Sequence, residues 1–176
     1  PTGVIAKLGI TPPRQNAHMI QMLLAKHGGI LISYEEFDKL PLYFRLDCIP
    51  IMIGMPPNTY WEKPGVTGRI PANRTGSGVY FSAEYLGAKS CIFVKDEKGL
   101  YTADPKKAKH AKFISKIHAK ELLDLDLADL IVERVVIENL INAKLVRTIQ
   151  IIDGTQRGNL LRALDGEHVG TIIHAD

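Results

Sequence analysis

The fold of this chain is decided by one stretch of sequence, SCIFVKDEKGLYTADP at residues 90–105. Its first part, residues 90–94, is a short apolar run that is followed at once by the charged residues Lys95 and Asp96. A run of this kind is typical of a strand that is covered on both faces in a parallel sheet. The stretch therefore predicts a parallel sheet with helices packed against both of its sides.

Helix and strand signals alternate on both sides of this stretch. Apolar periodicity and capping residues predict helices at 17–26, after Ser33, and at 79–88, 118–123, 133–143 and 158–164. Apolar runs predict strands at 30–32, 49–55, 146–152 and 170–173. Residues 56–78 are rich in Pro and Gly and are expected to form a long, functional loop. With no repeat and no interior linker, the chain is predicted to be a single α/β domain over residues 1–176, a three-layer sandwich with a mainly parallel central sheet.

Composition narrows the range of partners. The 176 residues are 45% hydrophobic and 23% charged, which fits one globular domain with a real core. The net charge of +3 is spread over the chain, so we expect no nucleic-acid partner. Cys48 and Cys91 lie far apart in apolar contexts and are predicted to be buried, reduced thiols of a cytoplasmic protein. No apolar run is as long as a membrane span, so no membrane association is expected.

The loop after the strand at 90–94 is the candidate binding site. Ligands of open α/β sheets bind in the crevice beyond the carboxyl ends of the strands, which is where this loop begins. Gly99 would supply backbone freedom, Tyr101 a flat face for a base, and Asp104 an acceptor for sugar hydroxyls or a metal-bound water. Together with Lys95 and Asp96, these residues form a predicted ATP site. The alternative is a solvated surface connection, because short motifs match by chance.

Two segments of the sequence resemble one enzyme superfamily. The first runs from residue 85 to residue 105, and the second is RGNLLRALDGE, followed after two residues by GTII, near the end of the chain. Both are similar to the amino acid kinase superfamily, and in particular to its bacterial uridylate kinases. The resemblance implies that fold and an ATP site, in which the positions matching Lys95, Tyr101 and Asp104 contact the nucleotide.

The chain also departs from the superfamily pattern at positions that matter for catalysis. Those kinases begin with a strand and a glycine-rich turn that cradle the phosphates, whereas residues 1–10 resemble the middle of such a fold. We therefore expect the C-terminal portion of an amino acid kinase-like fold, without its N-terminal phosphate-loop segment. Gly76 stands where the kinases keep an aspartate, and Asp96 where their nucleotide loop has a lysine. Because phosphoryl transfer depends on positioned positive charge, these changes argue against an efficient nucleotide kinase.

A kinase-like fold that keeps the adenine side and loses catalytic residues resembles the metal-storing branch of the superfamily. That resemblance implies binding of ATP and Mg²⁺, and deposition of molybdate or tungstate as polynuclear oxide clusters assisted by ATP hydrolysis. It also implies a hetero-hexamer built with a related second subunit. The two distant cysteines agree with this, since they cannot form a thiolate cluster and an oxoanion would need nitrogen and oxygen donors.

Two regions offer such donors. Arg14, Gln15 and His18 would share one face near a helix N-terminus, where unpaired N–H groups favour anions, provided that the helix already includes Arg14. The other region is the loop from Pro56 to Arg74, whose candidate side chains are Tyr60, Trp61, Glu62, Lys63, Arg69 and Arg74. Both sets have plainer alternatives, because an isolated helical His is usually a surface residue and Trp61 could anchor a subunit contact.

Three function classes stay open at this point. The chain could be a nucleotide-dependent subunit that stores metal oxoanions, with possible ATPase activity. It could be an active uridylate kinase-like phosphotransferase whose missing lysines lie in another segment. It could also be a non-catalytic, nucleotide-sensing domain. Gly76 weighs against the second class, and the long donor-rich loop weighs against the third.

Overall fold

The computed structural model describes residues 8–54, 74–127 and 130–176. The chain divides into two compact units, residues 1–78 and residues 79–176. Parallel strand pairs occur in each unit, so each has the α/β character expected from the sequence. The single domain over residues 1–176 stays a prediction.

The first unit is built on one parallel strand pair. Helix α1 (Thr11–Leu24) continues into a 3₁₀ turn, Ala25–His27, and leads to strand β1 (Gly29–Leu31). A second 3₁₀ segment, Tyr34–Lys39, and helix α2 (Leu40–Arg45) then connect to strand β2 (Ile49–Ile51), which pairs with β1 in parallel. The predicted capping box is present, because Ser33 and Glu36 exchange hydrogen bonds at the start of the 3₁₀ segment.

Helix α1 starts earlier than the predicted helix at 17–26. It begins at Thr11, and Pro12 and Pro13 occupy its first turn. The first N–H groups of a helix have no partner within the helix, so a proline there removes no hydrogen bond. The helix therefore includes Arg14, as the predicted donor face requires.

A four-stranded sheet organises the second unit. Its strands are β3 (Cys91–Lys95), β6 (Lys116–His118), β7 (Thr148–Asp153) and β8 (Thr171–His174), in the spatial order β3-β7-β8-β6. The pairs β3–β7 and β6–β8 are parallel, and only β7–β8 is antiparallel. A separate antiparallel hairpin, β4 (Leu100–Tyr101) with β5 (Phe113–Ile114), was not predicted. Further helices within the described residues are α3 (Thr75–Leu86), α4 (Ala119–Asp124), α5 (Arg134–Ile141) and α6 (Asn159–Leu164).

Strand β7 is covered on both faces, as a three-layer arrangement requires. Ile149 and Ile151 are fully buried in the main core with Ile137 and Leu140 of α5. Ile152 points to the other face, where it packs in a smaller cluster with Ala163 of α6. Complete burial of a side chain such as Ile or Leu contributes about 1.5–3 kcal/mol, so these few residues hold helices on both sides of the sheet.

Glu84 joins the end of α3 to the start of β7. Its carboxylate accepts hydrogen bonds from the backbone N–H groups of Lys144, Leu145 and Val146, at distances from 2.6 to 3.3 Å. These bonds, that of Val146 above all, lower the pKa of Glu84. The carboxylate thus stays ionised and satisfies three donors that precede the central strand.

Some predictions need correction. Residues 75–78 belong to α3 and not to the long loop, and α3 thus starts before the predicted position 79. Residues 55–73, which hold most of the predicted loop, lie outside the described residues. Cys91 is buried, and burial raises the pKa of its thiol to about 12, but Cys48 is only half-buried. None of the helices in the ranges 8–54, 74–127 and 130–176 is long and apolar enough to cross a bilayer.

Candidate functional site

An open cleft of about 130 Å³ lies in the second unit, beyond the carboxyl end of β3. Among the described residues, seven of those that line it fall between Glu97 and Pro105, and the eighth is Ile131. Small-molecule sites are concave, with mostly apolar walls that carry a few polar groups. The cleft has this character, and it lies where ligands of open α/β sheets bind.

Both residues of β4 line the cleft, and Thr171 ties the β4–β5 hairpin to the sheet. The hydroxyl of Thr171 accepts a hydrogen bond from the backbone N–H of Leu100 at 2.8 Å and donates one to the carbonyl of Ile114. Thr171 is fully buried, so this single side chain satisfies one group on each strand of the hairpin. Sequence reasoning missed Thr171, because a threonine that opens an apolar strand gives no sign of such a bridge.

Gly99 is needed for close packing. A Cβ atom at this position would overlap the hydroxyl oxygen of Thr171 and come within 3.1 Å of the ring of Phe113. The sequence pointed to the right residue for a different reason, since it suggested backbone freedom. The absence of a side chain lets the loop lie directly against the first residue of β8.

Tyr101, which lines the cleft, packs against an aromatic partner outside the lining. The rings of Tyr101 and Phe113 meet edge to face, with their centroids 5.4 Å apart. The ammonium of Lys98 lies 4.3 Å from the centroid of Phe113 and makes a cation–π contact with it. Phe113 therefore holds Tyr101 in a defined orientation. It was missed because it lies twelve residues further along the chain, on a strand that was not predicted.

Asp104 lines the cleft and also shapes the turn that follows. Its Oδ1 atom accepts the backbone N–H of Lys106 at 2.8 Å, and its Oδ2 atom pairs with the ammonium of Lys107 at 2.9 Å. The contact with Lys107, followed by the backbone bond, holds the pKa of Asp104 below its usual value. The carboxylate is thus ionised at neutral pH and can accept hydrogen bonds from a ligand.

Lys106 bridges two further carboxylates. Its ammonium lies 3.0 Å from an oxygen of Asp96 and 3.0 Å from an oxygen of Glu97. The pKa of Lys106 is raised by Glu97 and by Asp96, and Lys106 in turn lowers the pKa of Asp96. The sequence alone did not indicate this triad, since the four charged residues at 95–98 have the pattern of a solvated loop.

The structure brings together part of the predicted ATP site. Gly99, Tyr101 and Asp104 line the cleft, whereas Lys95 and Asp96 are not among its lining residues. Lys95 ends β3, where its carbonyl accepts the N–H of Gly154 at 2.8 Å. The assignment of these five residues to ATP stays a prediction.

The predicted oxoanion donors belong to the first unit. Arg14, Gln15 and His18 all lie in α1 and are exposed, and Arg14 and His18 are one helical turn apart. Of the alternative loop candidates, only Arg74 is described, and its backbone N–H donates to the hydroxyl of Ser77 at 2.9 Å. In the part of the chain that the structure describes, no three His, Cys, Asp or Glu side chains converge to hold a metal ion.

Comparison with known proteins identifies the family. Residues 65–158, which make up more than half of the chain, match the amino acid kinase family. The chain belongs to the amino acid kinase family. This confirms the fold class and the superfamily expected from residues 85–105 and from the tail.

Relatives within the amino acid kinase family differ in function. The chain is 45% identical to molybdenum storage protein subunit beta of Azotobacter vinelandii, over 99% of the chain and 65% of that protein. It is 28% identical to the uridylate kinase of Fervidobacterium nodosum, over 81% of the chain and 53% of that enzyme. The chain thus spans somewhat less than two thirds of the length of the first protein and about half that of the second.

A solved structure supports the fold assignment. The UMP kinase from Ureaplasma parvum superposes with a TM-score of 0.70, covering 96% of this chain and 70% of that one. Sequence identity over the superposition is 14%, so this likeness concerns the amino acid kinase fold alone. The recognition of a kinase-like fold from the sequence is therefore confirmed.

Proposed function

We propose that this chain is an ATP-binding part of a subunit that stores molybdenum or tungsten as polynuclear oxide clusters. The observation that carries this proposal is the 45% identity, over 99% of the chain, to a molybdenum storage protein subunit. The name of that relative includes "subunit beta", which supports assembly with a related second subunit, here proposed as a hetero-hexamer. The proposed setting is the cytoplasm, and ATP hydrolysis would assist deposition of the oxoanions.

The cleft in the second unit suits the base and sugar of ATP. Tyr101 presents an aromatic face, and stacking of a base on such a ring contributes about 1–3 kcal/mol. Asp104 supplies an ionised acceptor for the ribose hydroxyls, which are donors. Mg²⁺ is proposed to arrive with the nucleotide phosphates, because the described residues show no cluster of metal-binding side chains.

Two positions favour storage over nucleotide phosphorylation. Gly76, at the position where the related kinases keep an aspartate, is buried within α3 and has no side chain to act in catalysis. Asp96, at the position of a kinase lysine, adds a negative charge that is taken up by Lys106. Transfer of a phosphoryl group needs positioned positive charge, which the family's aspartate orients and its lysine supplies, so both changes are expected to reduce kinase activity.

A uridylate kinase-like phosphotransferase is the second candidate. It is favoured by the family and by the uridylate kinases among the relatives. A non-catalytic domain that senses a nucleotide is the third, and it would use the same cleft without turnover. Phosphorylation of UMP by a chain that carries no molybdenum or tungsten, in the presence of Mg-ATP, would favour the kinase over storage.

Replacing Tyr101 with alanine is expected to weaken ATP binding by about 5- to 100-fold, the equivalent of one lost stacking contact. Isothermal titration of the 176-residue chain with Mg-ATP would measure this. Tyr85→Ala is the matched control, because Tyr85 is a highly exposed tyrosine of α3 and does not line the cleft. If the Tyr101 variant bound ATP as tightly as the unmodified chain, the nucleotide would not bind against Tyr101 in this cleft.

Replacing His18 with alanine is expected to reduce the molybdenum or tungsten retained per chain and to leave the affinity for ATP unchanged. Arg14, Gln15 and His18 are the proposed oxoanion donors on the exposed face of α1, and neutral imidazole is a good donor to such a metal centre. Elemental analysis of the purified, undialysed protein would measure loading. His27→Ala is the control, since His27 lies beyond α1 in the 3₁₀ turn. Equal loading in the two variants would exclude His18 as a donor.

A further inference from the structure

The cleft lies between two arms of one loop, and a single lysine joins these arms. The outgoing arm carries Asp96 and Glu97, and the returning arm carries Lys106 on the turn set by Asp104. The ammonium of Lys106 contacts both carboxylates of the outgoing arm at 3.0 Å. These two ion pairs involve neither the ring of Tyr101 nor the hydrogen bonds of Thr171.

The lining of the cleft carries two acidic side chains, whereas a nucleotide is itself an anion. Glu97 and Asp104 both line the cleft, and their side chains are only 24% and 23% exposed. Two carboxylates in a partly desolvated cleft repel an anion more strongly than they would in bulk water. Each of them is paired with one lysine from the same turn, Glu97 with Lys106 and Asp104 with Lys107.

Lys106 differs from Lys107 because it pairs with two carboxylates and not with one. Lys107 pairs with one carboxylate, whereas Lys106 also holds Asp96, which is 76% exposed and lies outside the lining. The triad of Lys106, Asp96 and Glu97 therefore keeps a net charge of −1. Removing Asp96 would leave Lys106 on Glu97 and make the mouth of the cleft less negative, while removing Lys106 would leave two unpaired carboxylates there.

We propose that Lys106 determines specificity for a phosphorylated nucleotide over the neutral nucleoside, by neutralising the carboxylate of Glu97 at the cleft, and that Asp96 opposes it. This inference rests on the nucleotide-binding function proposed above. Lys106 acts on the charge of the ligand and not on its base, so its contribution depends on the phosphates. Asp96 sets how much of the positive charge of Lys106 is available to them.

The test compares ATP with adenosine on the full chain by isothermal titration at one Mg²⁺ concentration. Lys106→Met should weaken ATP binding by about two- to fivefold at low ionic strength, and Asp96→Asn should strengthen it by a similar factor. Adenosine affinity should stay within experimental error in both variants. The effects on ATP should shrink strongly near 1 M salt, where the Debye length falls to about 3 Å. Lys89→Met, at the opposite end of β3, is the control for loss of one positive charge.

The directions in which the two substitutions change ATP affinity distinguish an electrostatic role of Lys106 from a purely structural one. If the triad only fastens the two arms, both substitutions break an ion pair, so both would weaken ATP and adenosine to the same extent. That outcome would overturn the inference and leave the nucleotide site in place. If the unmodified chain binds neither ligand, the proposed nucleotide function fails as well, and the inference fails with it.

Discussion

The Gly170→Ala variant is expected to lose about 2–5 kcal/mol of unfolding free energy. Gly170 has a φ of +69°, and adopting that region costs an L-residue about 1–2 kcal/mol. In addition, a Cβ atom here would overlap the carbonyl oxygen of Ile151 and lie 2.6 Å from the carbonyl oxygen of Lys98. Both obstacles are backbone atoms of packed elements, so relief requires β7 and the cleft loop to move apart, which adds about 1–3 kcal/mol. Urea denaturation followed by circular dichroism would measure the loss.

Gly166→Ala separates these two contributions. Gly166 has a φ of +90°, but no heavy atom lies within 4 Å of the Cβ that alanine would add. This variant should therefore lose only the conformational term, about 1–2 kcal/mol. If both variants lost the same free energy, the close approach of Gly170 to the two carbonyls would have no energetic importance.

Thr171→Val is expected to destabilise the chain by about 2–4 kcal/mol and to weaken ATP binding at the same time. Valine has the same shape as threonine, but it leaves the N–H of Leu100 and the carbonyl of Ile114 without their buried partner. The loss falls on the hairpin whose strand β4 lines the cleft, so the hairpin should open more readily than the sheet. Faster hydrogen exchange at the Leu100 amide, measured together with urea denaturation and ATP titration, would report this.

Thr171→Ser provides the matched comparison. Serine keeps the hydroxyl and removes only a methyl group, which costs about 1 kcal/mol of buried apolar contact. We expect it to retain both the protection of the Leu100 amide and the affinity for ATP. An equal loss of affinity in the serine and valine variants would mean that packing of the methyl group, and not the hydrogen-bond bridge, holds the cleft.

Three of the four strands of the main sheet could be predicted because they carry local signals, whereas β6, with three residues, was not predicted. The apolar run before Lys95 and the run that became β7 are long enough to show that both faces are covered. The β4–β5 hairpin has only two residues in each strand, which is too few for any periodicity. It depends instead on Thr171, which is 71 residues from Leu100 in the chain, and such a contact leaves no mark in local sequence.

The candidate site was predictable to a similar degree. Gly99, Tyr101 and Asp104 follow an apolar strand, and position in an α/β sheet is enough to suggest that such residues meet a ligand. Lys106 could not be assigned in this way, since its partners Asp96 and Glu97 become neighbours only when the loop folds back. The start of α1 was also predicted too late, because prolines usually interrupt helices. In the first turn of α1 they remove no hydrogen bond and the helix is not weakened.

The bond between Glu84 and the segment before β7 has a consequence for how this protein can evolve. Glu84 and Val146 are 62 positions apart in the chain, and their contact closes a segment that contains all the lining residues of the cleft that the structure describes. The entropy of closing a loop rises slowly with its length, by about 0.6 kcal/mol for each doubling. Insertions at residues 108–111, between the cleft loop and β5, should therefore lower the free energy of unfolding only slightly, so the loop can change in length there while the scaffold stays the same.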